Sequence, residues 1–213
     1  MRLKRFQEKY AAVPRPKPRS NKVMAVMLCA LLAGPILLAG PALAQPAHAP
    51  FTLTSPAFTD GAVIPDRFSQ SPGNPPANWG TSPELHWAGA PAGTQSFVIL
   101  LHDLNPAINH SAMDVTHWMA FNIPGTATSL PEGVPTQPTL ADGTVQIRNT
   151  RNHTGFMGPG APPGLYHHYV FALYALDTKL NLGPDATRAQ VTAAMDGHVL
   201  GKAVLTGLWR RGP

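Results

Sequence analysis

Three ionisable side chains lie where apolar, strand-forming stretches of the sequence begin or end. Asp103 follows the apolar run 96–101, which predicts a central strand. His117 opens the next strand-like run, and His167 opens the run 167–176. Since binding sites form where loops leave a rigid sheet, we expect these three side chains to meet at one concave site.

An aspartate beside two imidazoles predicts a site for a small anion. A nearby carboxylate raises the pKa of a histidine and favours the cationic ring, so His117 and His167 are expected to bind phosphate or carboxylate. His167 and His168 are consecutive in a strand and point to opposite faces, so only one of them can face the site. Zinc is the alternative occupant, because His and Asp are zinc ligands. No His-x-His or His-Glu-x-x-His spacing occurs, and no metal is predicted.

Other function classes lack their motifs. The sequence contains no Gly-x-Ser-x-Gly, no Gly-x-x-x-x-Gly-Lys and no Gly-x-Gly-x-x-Gly, so no cofactor is predicted. Residues 1–44 hold eight Lys and Arg against one Glu, a net charge of +7, whereas the rest of the chain has eight against ten, a net of −2. A nucleic-acid partner is excluded, because the basic residues would have to lie on the folded part.

The basic, then apolar N-terminus predicts an export leader. Basic residues up to Lys22 precede an apolar stretch that ends in Ala-Leu-Ala, the three parts of a secretory signal peptide. Cleavage after Ala44 would give a periplasmic or secreted protein, with 45–50 as a flexible lead and 51–213 as one domain. The alternative is a retained membrane anchor, since 23–44 is long enough to span a bilayer. The only cysteine, Cys29, lies in this leader, so the mature chain has neither a disulfide nor a thiol nucleophile.

Composition and periodicity predict a mostly β domain. The chain of 213 residues has 24 prolines and 19 glycines, which favours short strands joined by turns over a helical bundle. Short strands are predicted at 51–54 and 84–87, and the two apolar faces of 167–176 are typical of a strand covered on both sides. The segment 124–164, with seven prolines and seven glycines, predicts a long loop.

One segment predicts a helix near the C-terminus. Thr187 and Gln190 have the spacing of a capping box, and apolar residues follow at helical spacing up to Val199. We expect Gly201 to end this helix and 203–209 to form the last strand.

Several motifs occur in order along the chain. They are the stretches 82–87 and 91–97, His117-Trp118 with 122–124, then 155–164, 167–171 and 174–177. Together they resemble the phosphatidylethanolamine-binding protein family, and more narrowly its bacterial branch of Raf-kinase-inhibitor-like proteins, over nearly all of 51–210.

The resemblance implies an antiparallel Greek-key β-sandwich with a short C-terminal helix and a pocket for small anions such as phosphate or acetate. In the family this pocket uses the first Asp of an Asp-Pro-Asp-x-Pro motif, a His at a strand start and the His of a His-Arg-Tyr triplet. The matching residues here are Asp103, His117 and His167. Pro162 and Tyr169 match the pocket-wall proline and aromatic residue.

The chain departs from the family pattern at two places. The stretch 103–107 reads Asp-Leu-Asn-Pro-Ala and lacks the motif's first proline and second aspartate, which bears on the pocket rim. His168 stands at the usual arginine position, which removes a fixed charge that would brace a neighbouring loop or carboxylate.

The sequence therefore predicts an exported, non-enzymatic protein that binds a small anionic ligand or a phospholipid head group. Two alternatives belong to other classes. One is a protein inhibitor of a protease or kinase that uses the long Pro/Gly loop as its binding surface. The other is a weak phosphoester hydrolase in which an Asp–His pair acts as base.

Overall fold

The computed structural model describes residues 49–74, 79–107, 110 and 112–212, and the predicted leader at 1–44 lies outside them. No helix within these residues is long and apolar enough to cross a bilayer. The elements in chain order are β1 (Thr52–Thr54), a 3₁₀ turn (Asp66–Phe68), β2 (Leu85–Ala88), β3 (Ser96–Asp103), β4 (Val115–Pro124), β5 (Ser129–Leu130), β6 (Val145–Gln146), β7 (His167–Leu176), α1 (Arg188–Met195) and β8 (Val199–Trp209).

The strands form two sheets whose paired strands are antiparallel. The smaller sheet has three strands in the order β1-β2-β5, and the larger has five in the order β6-β4-β3-β7-β8. β3 lies at the centre of the larger sheet, between β4 and β7. The predicted mostly β, antiparallel sandwich with a short helix near the C-terminus is confirmed.

Alternate side chains of the larger sheet enter two separate cores. On one face Ile99 packs with Trp87 in a cluster that joins the two sheets. On the other face Leu100 packs with Val191 and Met195 of α1. β7 is also covered on both sides, as its two apolar faces predict: Phe171 and Leu173 lie in the first cluster, and Leu176 lies in the second.

The helix begins where the capping box predicts. Thr187 Oγ1 accepts a hydrogen bond from Gln190 N at 3.2 Å, and Gln190 Oε1 accepts one from Thr187 N at 2.8 Å. These bonds satisfy backbone and side-chain groups at the first turn, which otherwise lacks intrahelical partners.

The predicted end of the helix at Gly201 is wrong. The helix stops at Met195, and Gly197 adopts a φ of +83°, a left-handed conformation that favours glycine. Gly201 lies inside β8, opposite Ala175 of β7. Pairing with β7 fixes the chain from Val199 onward as a strand, so long-range hydrogen bonding overrides the local helical spacing.

The segment 124–164 is a long loop, as predicted, apart from two strands of two residues each, and it is packed against the sandwich. It contributes β5 and β6, and its Ile147, Phe156 and Met157 are buried. Gln146 organises it: the side-chain Nε2 donates to two loop carbonyls, and Oε1 accepts a 2.8 Å hydrogen bond from Trp118 Nε1. The buried side chain of Gln146 thus forms hydrogen bonds that a longer stretch of strand pairing would otherwise provide.

Close backbone approach holds the last part of this segment in place. Gly158 N donates to the carbonyl of Trp79 at 2.7 Å. A Cβ at Gly158 would lie 2.1 Å from the carbonyl oxygen of Phe68. Only glycine allows this contact, which places residues 157–161 beside the sheet end that carries Asp103.

We predict that Gly158→Ala destabilises the protein by about 1–3 kcal/mol, because the new methyl group forces two backbone segments apart. Thermal or urea unfolding measures the change. The matched control is Gly183→Ala, where an added Cβ meets nothing within 4 Å. Equal unfolding midpoints for the two variants would contradict the close-packed arrangement.

Candidate functional site

The register of the larger sheet brings the predicted residues to one end. Asp103, the last residue of β3, pairs with Val115 of β4 on one side and with Tyr169 of β7 on the other. His117 is the third residue of β4 rather than its first, since the strand begins at Val115. A cavity of about 480 Å³ lies here, and its lining includes all five predicted residues: Asp103, His117, Pro162, His167 and Tyr169. That they bind a ligand stays a prediction.

Asp103 is buried, and both of its carboxylate oxygens have hydrogen-bond partners. Its Oδ2 lies 2.7 Å from His167 Nδ1, and its Oδ1 accepts a hydrogen bond from Asn105 N at 3.0 Å. Because an ionised carboxylate only accepts, His167 carries hydrogen on Nδ1 and leaves Nε2 for the cavity. Asp103 thus orients the imidazole of His167.

His117 is 3% exposed and is held by backbone carbonyls. Its Nδ1 donates to Met157 O at 2.9 Å and to Gly158 O at 3.0 Å. Burial lowers the pKa of His117, and this effect exceeds the opposing effects of the two carbonyls and of the Asp103 charge. The expected cationic state of His117 is therefore wrong for the free protein: the ring is neutral at pH 7, with hydrogen on Nδ1.

Tyr169 is a buried residue in the lining of the cavity. Its hydroxyl accepts hydrogen bonds from Gly160 N at 3.2 Å and Ala161 N at 3.1 Å and also contacts Asp103. Burial and the Asp103 charge raise the pKa of Tyr169 above its usual range. Its ring meets that of His117 edge-on, with centroids 5.2 Å apart. Tyr169 thus ties the loop at 160–161 to both ionisable groups.

Three polar lining residues are absent from the sequence prediction: Gln70, Thr150 and Arg151. Gln70 lines the cavity, and its Nε2 donates to Gly158 O at 2.7 Å. Arg151 also lines it and brings a permanent positive charge. One signal could have identified Arg151: it and Arg148 are the only Lys or Arg residues between Arg67 and Lys179.

The described residues contain no group of three or more His, Cys, Asp or Glu side chains arranged to hold a metal ion.

Comparison with known proteins agrees with this architecture. The family described as Phosphatidylethanolamine-binding protein matches residues 54–210. The chain belongs to this family. A UPF0098 protein from Methanothermobacter thermautotrophicus is 42% identical over 160 residues, which are 75% of this chain and 99% of that relative.

Solved structures of the phosphatidylethanolamine-binding protein family share the fold. A putative phosphatidylethanolamine-binding protein homolog from Chlamydia trachomatis has a TM-score of 0.65 at 30% identity, covering 76% of this chain and 98% of the other. Escherichia coli YbcL, described as a new member of the mammalian family, has a TM-score of 0.63 at 31% identity, covering 77% and 100%.

The two departures from the phosphatidylethanolamine-binding protein pattern contact each other. Asn105 Oδ1 accepts a hydrogen bond from His168 N at 2.8 Å and lies 3.1 Å from His168 Nδ1. Leu104 N donates to the His168 carbonyl at 3.1 Å. The rim between β3 and β7 is therefore closed by an amide–imidazole pair, which leaves Asp103 in contact with His167.

We predict that stability falls as the pH drops below about 6.5, the ordinary histidine value. The lowered pKa of His117 means that the unfolded chain binds a proton before the folded one does, so acid favours unfolding. Burial lowers the pKa of His153 too, so protonation of His153 at acid pH also favours unfolding. The stability that these two neutral histidines contribute is fully present above about pH 6.5. It is lost as the pH falls toward the pKa values that His117 and His153 have in the folded protein.

Thermal unfolding between pH 7.5 and 5 measures this dependence. His117→Gln should flatten the slope, and His153→Gln should remove the second contribution. A slope in His117→Gln as steep as in the wild type would contradict the neutral, buried assignment.

Proposed function

We propose that the protein is an exported, non-enzymatic binding protein whose cavity takes a small molecule with a phosphate or carboxylate group. The observation that supports this proposal most directly is that Arg151, His117 and His167 line the same cavity. Its volume of about 480 Å³ lies within the usual range for small-molecule sites. Arg151 supplies the fixed charge for the anion, and the imidazoles supply directional contacts.

The state of His117 constrains the bound ligand. With Nδ1–H donated to carbonyls, the other ring nitrogen is an acceptor in the neutral protein. An anion can contact it only if a proton comes with the ligand, as a P–OH group, or is taken up by the ring on binding. In both cases the complex holds one proton more than the free protein and the fully ionised free ligand hold together. Affinity for the fully ionised form should therefore fall as the pH rises from 6 to 8.

Calorimetry with inorganic phosphate and phosphoethanolamine tests the proposal. We expect Arg151→Gln to weaken binding at least about tenfold, the value of a charge-assisted hydrogen bond, and His117→Gln to weaken binding and abolish proton uptake. Arg148→Gln is the matched control, because Arg148 lies outside this cavity and lines a neighbouring one. Unchanged phosphate affinity in Arg151→Gln and His117→Gln, or no binding by the wild type, would refute the proposal.

Export rests on the basic and apolar leader and on the Ala-Leu-Ala sequence that ends at Ala44. We propose a periplasmic or secreted location, and N-terminal sequencing of the exported protein would test it. A mature N-terminus at Gln45 supports cleavage, whereas retention of residues 1–44 supports the anchor.

One observation favours the hydrolase alternative: Asp103 orients His167 with Nε2 toward the cavity, as a general base requires. We nevertheless expect no turnover of p-nitrophenyl phosphate above the buffer rate, since the sequence has no Gly-x-Ser-x-Gly nucleophile motif and the described residues contain no cluster of three or more metal-ligating side chains. Wild type and Asp103→Asn should give the same rate. A rate above buffer that Asp103→Asn abolishes would make the protein an enzyme.

A further inference from the structure

A second cavity, here called the α1 cavity, is lined by the first turn of α1 together with Thr116 and residues 148–150 and 184–186. Its volume of about 310 Å³ lies at the lower end of the usual range for small-molecule sites. Thr116 of β4 lines this cavity, whereas His117, the next residue of the strand, lines the cavity that contains Asp103. Since successive side chains of a strand point to opposite faces, the two cavities use different side chains of β4.

Arg188, in the first turn of α1, brings a positively charged group whose position is fixed by other side chains. Its Nη1 donates to the carboxylate of Asp114 and, at 3.1 Å, to Thr116 Oγ1. These bonds leave the N–H groups on Nε and Nη2 for a ligand. The first turn contains no acidic residue, so the positive end of the helix dipole adds to the charge of Arg188.

Asn149 gives independent evidence that the α1 cavity takes a hydrogen-bond acceptor. It is 6% exposed and lines the cavity. Its Oδ1 accepts hydrogen bonds from the backbone N–H groups of Arg151 at 3.0 Å and His153 at 3.2 Å. Its Nδ2 is buried and has no hydrogen-bond partner within the part of the chain that the structure describes. Because an unpaired buried donor is unfavourable, a bound acceptor would stabilise this arrangement.

Asp185 places a carboxylate at the same cavity. It is exposed, and it forms no ion pair or side-chain hydrogen bond with another described residue. The arginines at this cavity are Arg148 and Arg188, and the aspartates are Asp185 and, beside Arg188, Asp114. Their formal charges cancel, so a phosphate dianion finds no net positive charge here. A ligand that fits carries one charge of each sign.

We infer that the α1 cavity binds a free α-amino acid. The carboxylate of the amino acid accepts hydrogen bonds from Arg188 and from Asn149 Nδ2, and its ammonium group donates to Asp185. Pro184 and Ala186 supply apolar surface for a small side chain. The inference goes beyond the proposed function and does not depend on it, because none of these five residues lines the cavity that contains Asp103.

The charges of the cavity favour an amino acid over either of its halves. A simple carboxylate would leave Asp185 without a partner and would add a second negative charge near it. A simple amine would leave the donor of Asn149 unpaired. An α-amino acid meets both requirements with one small molecule, and its opposite charges lie close enough together to fit a cavity of this volume.

Titration of the ¹⁵N-labelled full chain with L-alanine, acetate and ethylamine tests the inference by nuclear magnetic resonance. We expect L-alanine to shift the amide signals of residues 148–150 and 184–188. Acetate and ethylamine should bind at least about tenfold more weakly, because each lacks one charge-assisted hydrogen bond.

Two variants separate the contacts. Asp185→Asn removes the partner of the ammonium group and should weaken L-alanine binding about tenfold. Its matched control is Asp196→Asn, because Asp196 is an exposed aspartate at the other end of α1. Asn149→Asp keeps the oxygen that accepts from the backbone but replaces the unpaired donor by an acceptor, so it should abolish binding. Asp185 is exposed, so its variant remains informative if Asn149→Asp does not fold.

The inference would be overturned if L-alanine caused no shift at these residues in the wild type, or if acetate bound as tightly as L-alanine. Equal L-alanine affinity in Asp185→Asn and Asp196→Asn would also overturn it.

Arg151→Gln distinguishes a failure of this inference from a failure of the proposed function. This variant should bind L-alanine as the wild type does while its phosphate affinity falls. L-alanine binding by a wild type that binds no phosphate would leave the α1 cavity standing and refute the anion site. Phosphate binding without L-alanine binding would do the reverse.

Discussion

β3 is hydrogen bonded along its length to β4 on one side and to β7 on the other. This double pairing leaves no freedom in where the three strands end relative to one another. A one-residue slip would move every side chain of the slipped strand to the opposite face and would break both cores. The cavity is therefore a consequence of the register, since Asp103 opposite Tyr169 and Val115 requires His167 and His117 to be close by.

The polar groups at this end are buried at a cost that the surrounding bonds offset. Asp103 is 3% exposed and would be strongly destabilising without partners. It has His167, Tyr169 and the backbone N–H of Asn105. His117 escapes the cost of a buried charge by remaining neutral and donating to two carbonyls. The cavity is thus polar without being highly charged, and Arg151 at its lining carries the permanent cation.

Much of this architecture could be predicted from the sequence because β7 and the capping box at Thr187 are local patterns with a fixed period. The convergence of Asp103, His117 and His167 could be predicted because Asp103 and His167 lie at strand ends and His117 lies near the start of β4. Three features could not be predicted in this way. The helix ends at Met195 because β8 pairs with β7, the charge of His117 depends on burial, and Arg151 reaches the cavity along a path set by contacts of the 124–164 segment.

The wall opposite the strands is made largely of backbone, and this limits where specificity can reside. Gly158 approaches the backbone of Phe68 too closely for a side chain to be added. The main-chain polar groups of this wall already have partners within the protein: Gly158 O accepts from His117 and Gln70, and the N–H groups of Gly160 and Ala161 donate to Tyr169. A ligand in this cavity would then meet mainly the side chains that line it. Arg151 is one of these lining side chains, and at the rim the contact between Asn105 and His168 stands in place of the acidic and arginine residues of the family pattern. Because that pair is held by an amide and a backbone N–H, the rim keeps its shape without adding a carboxylate that would repel an anion.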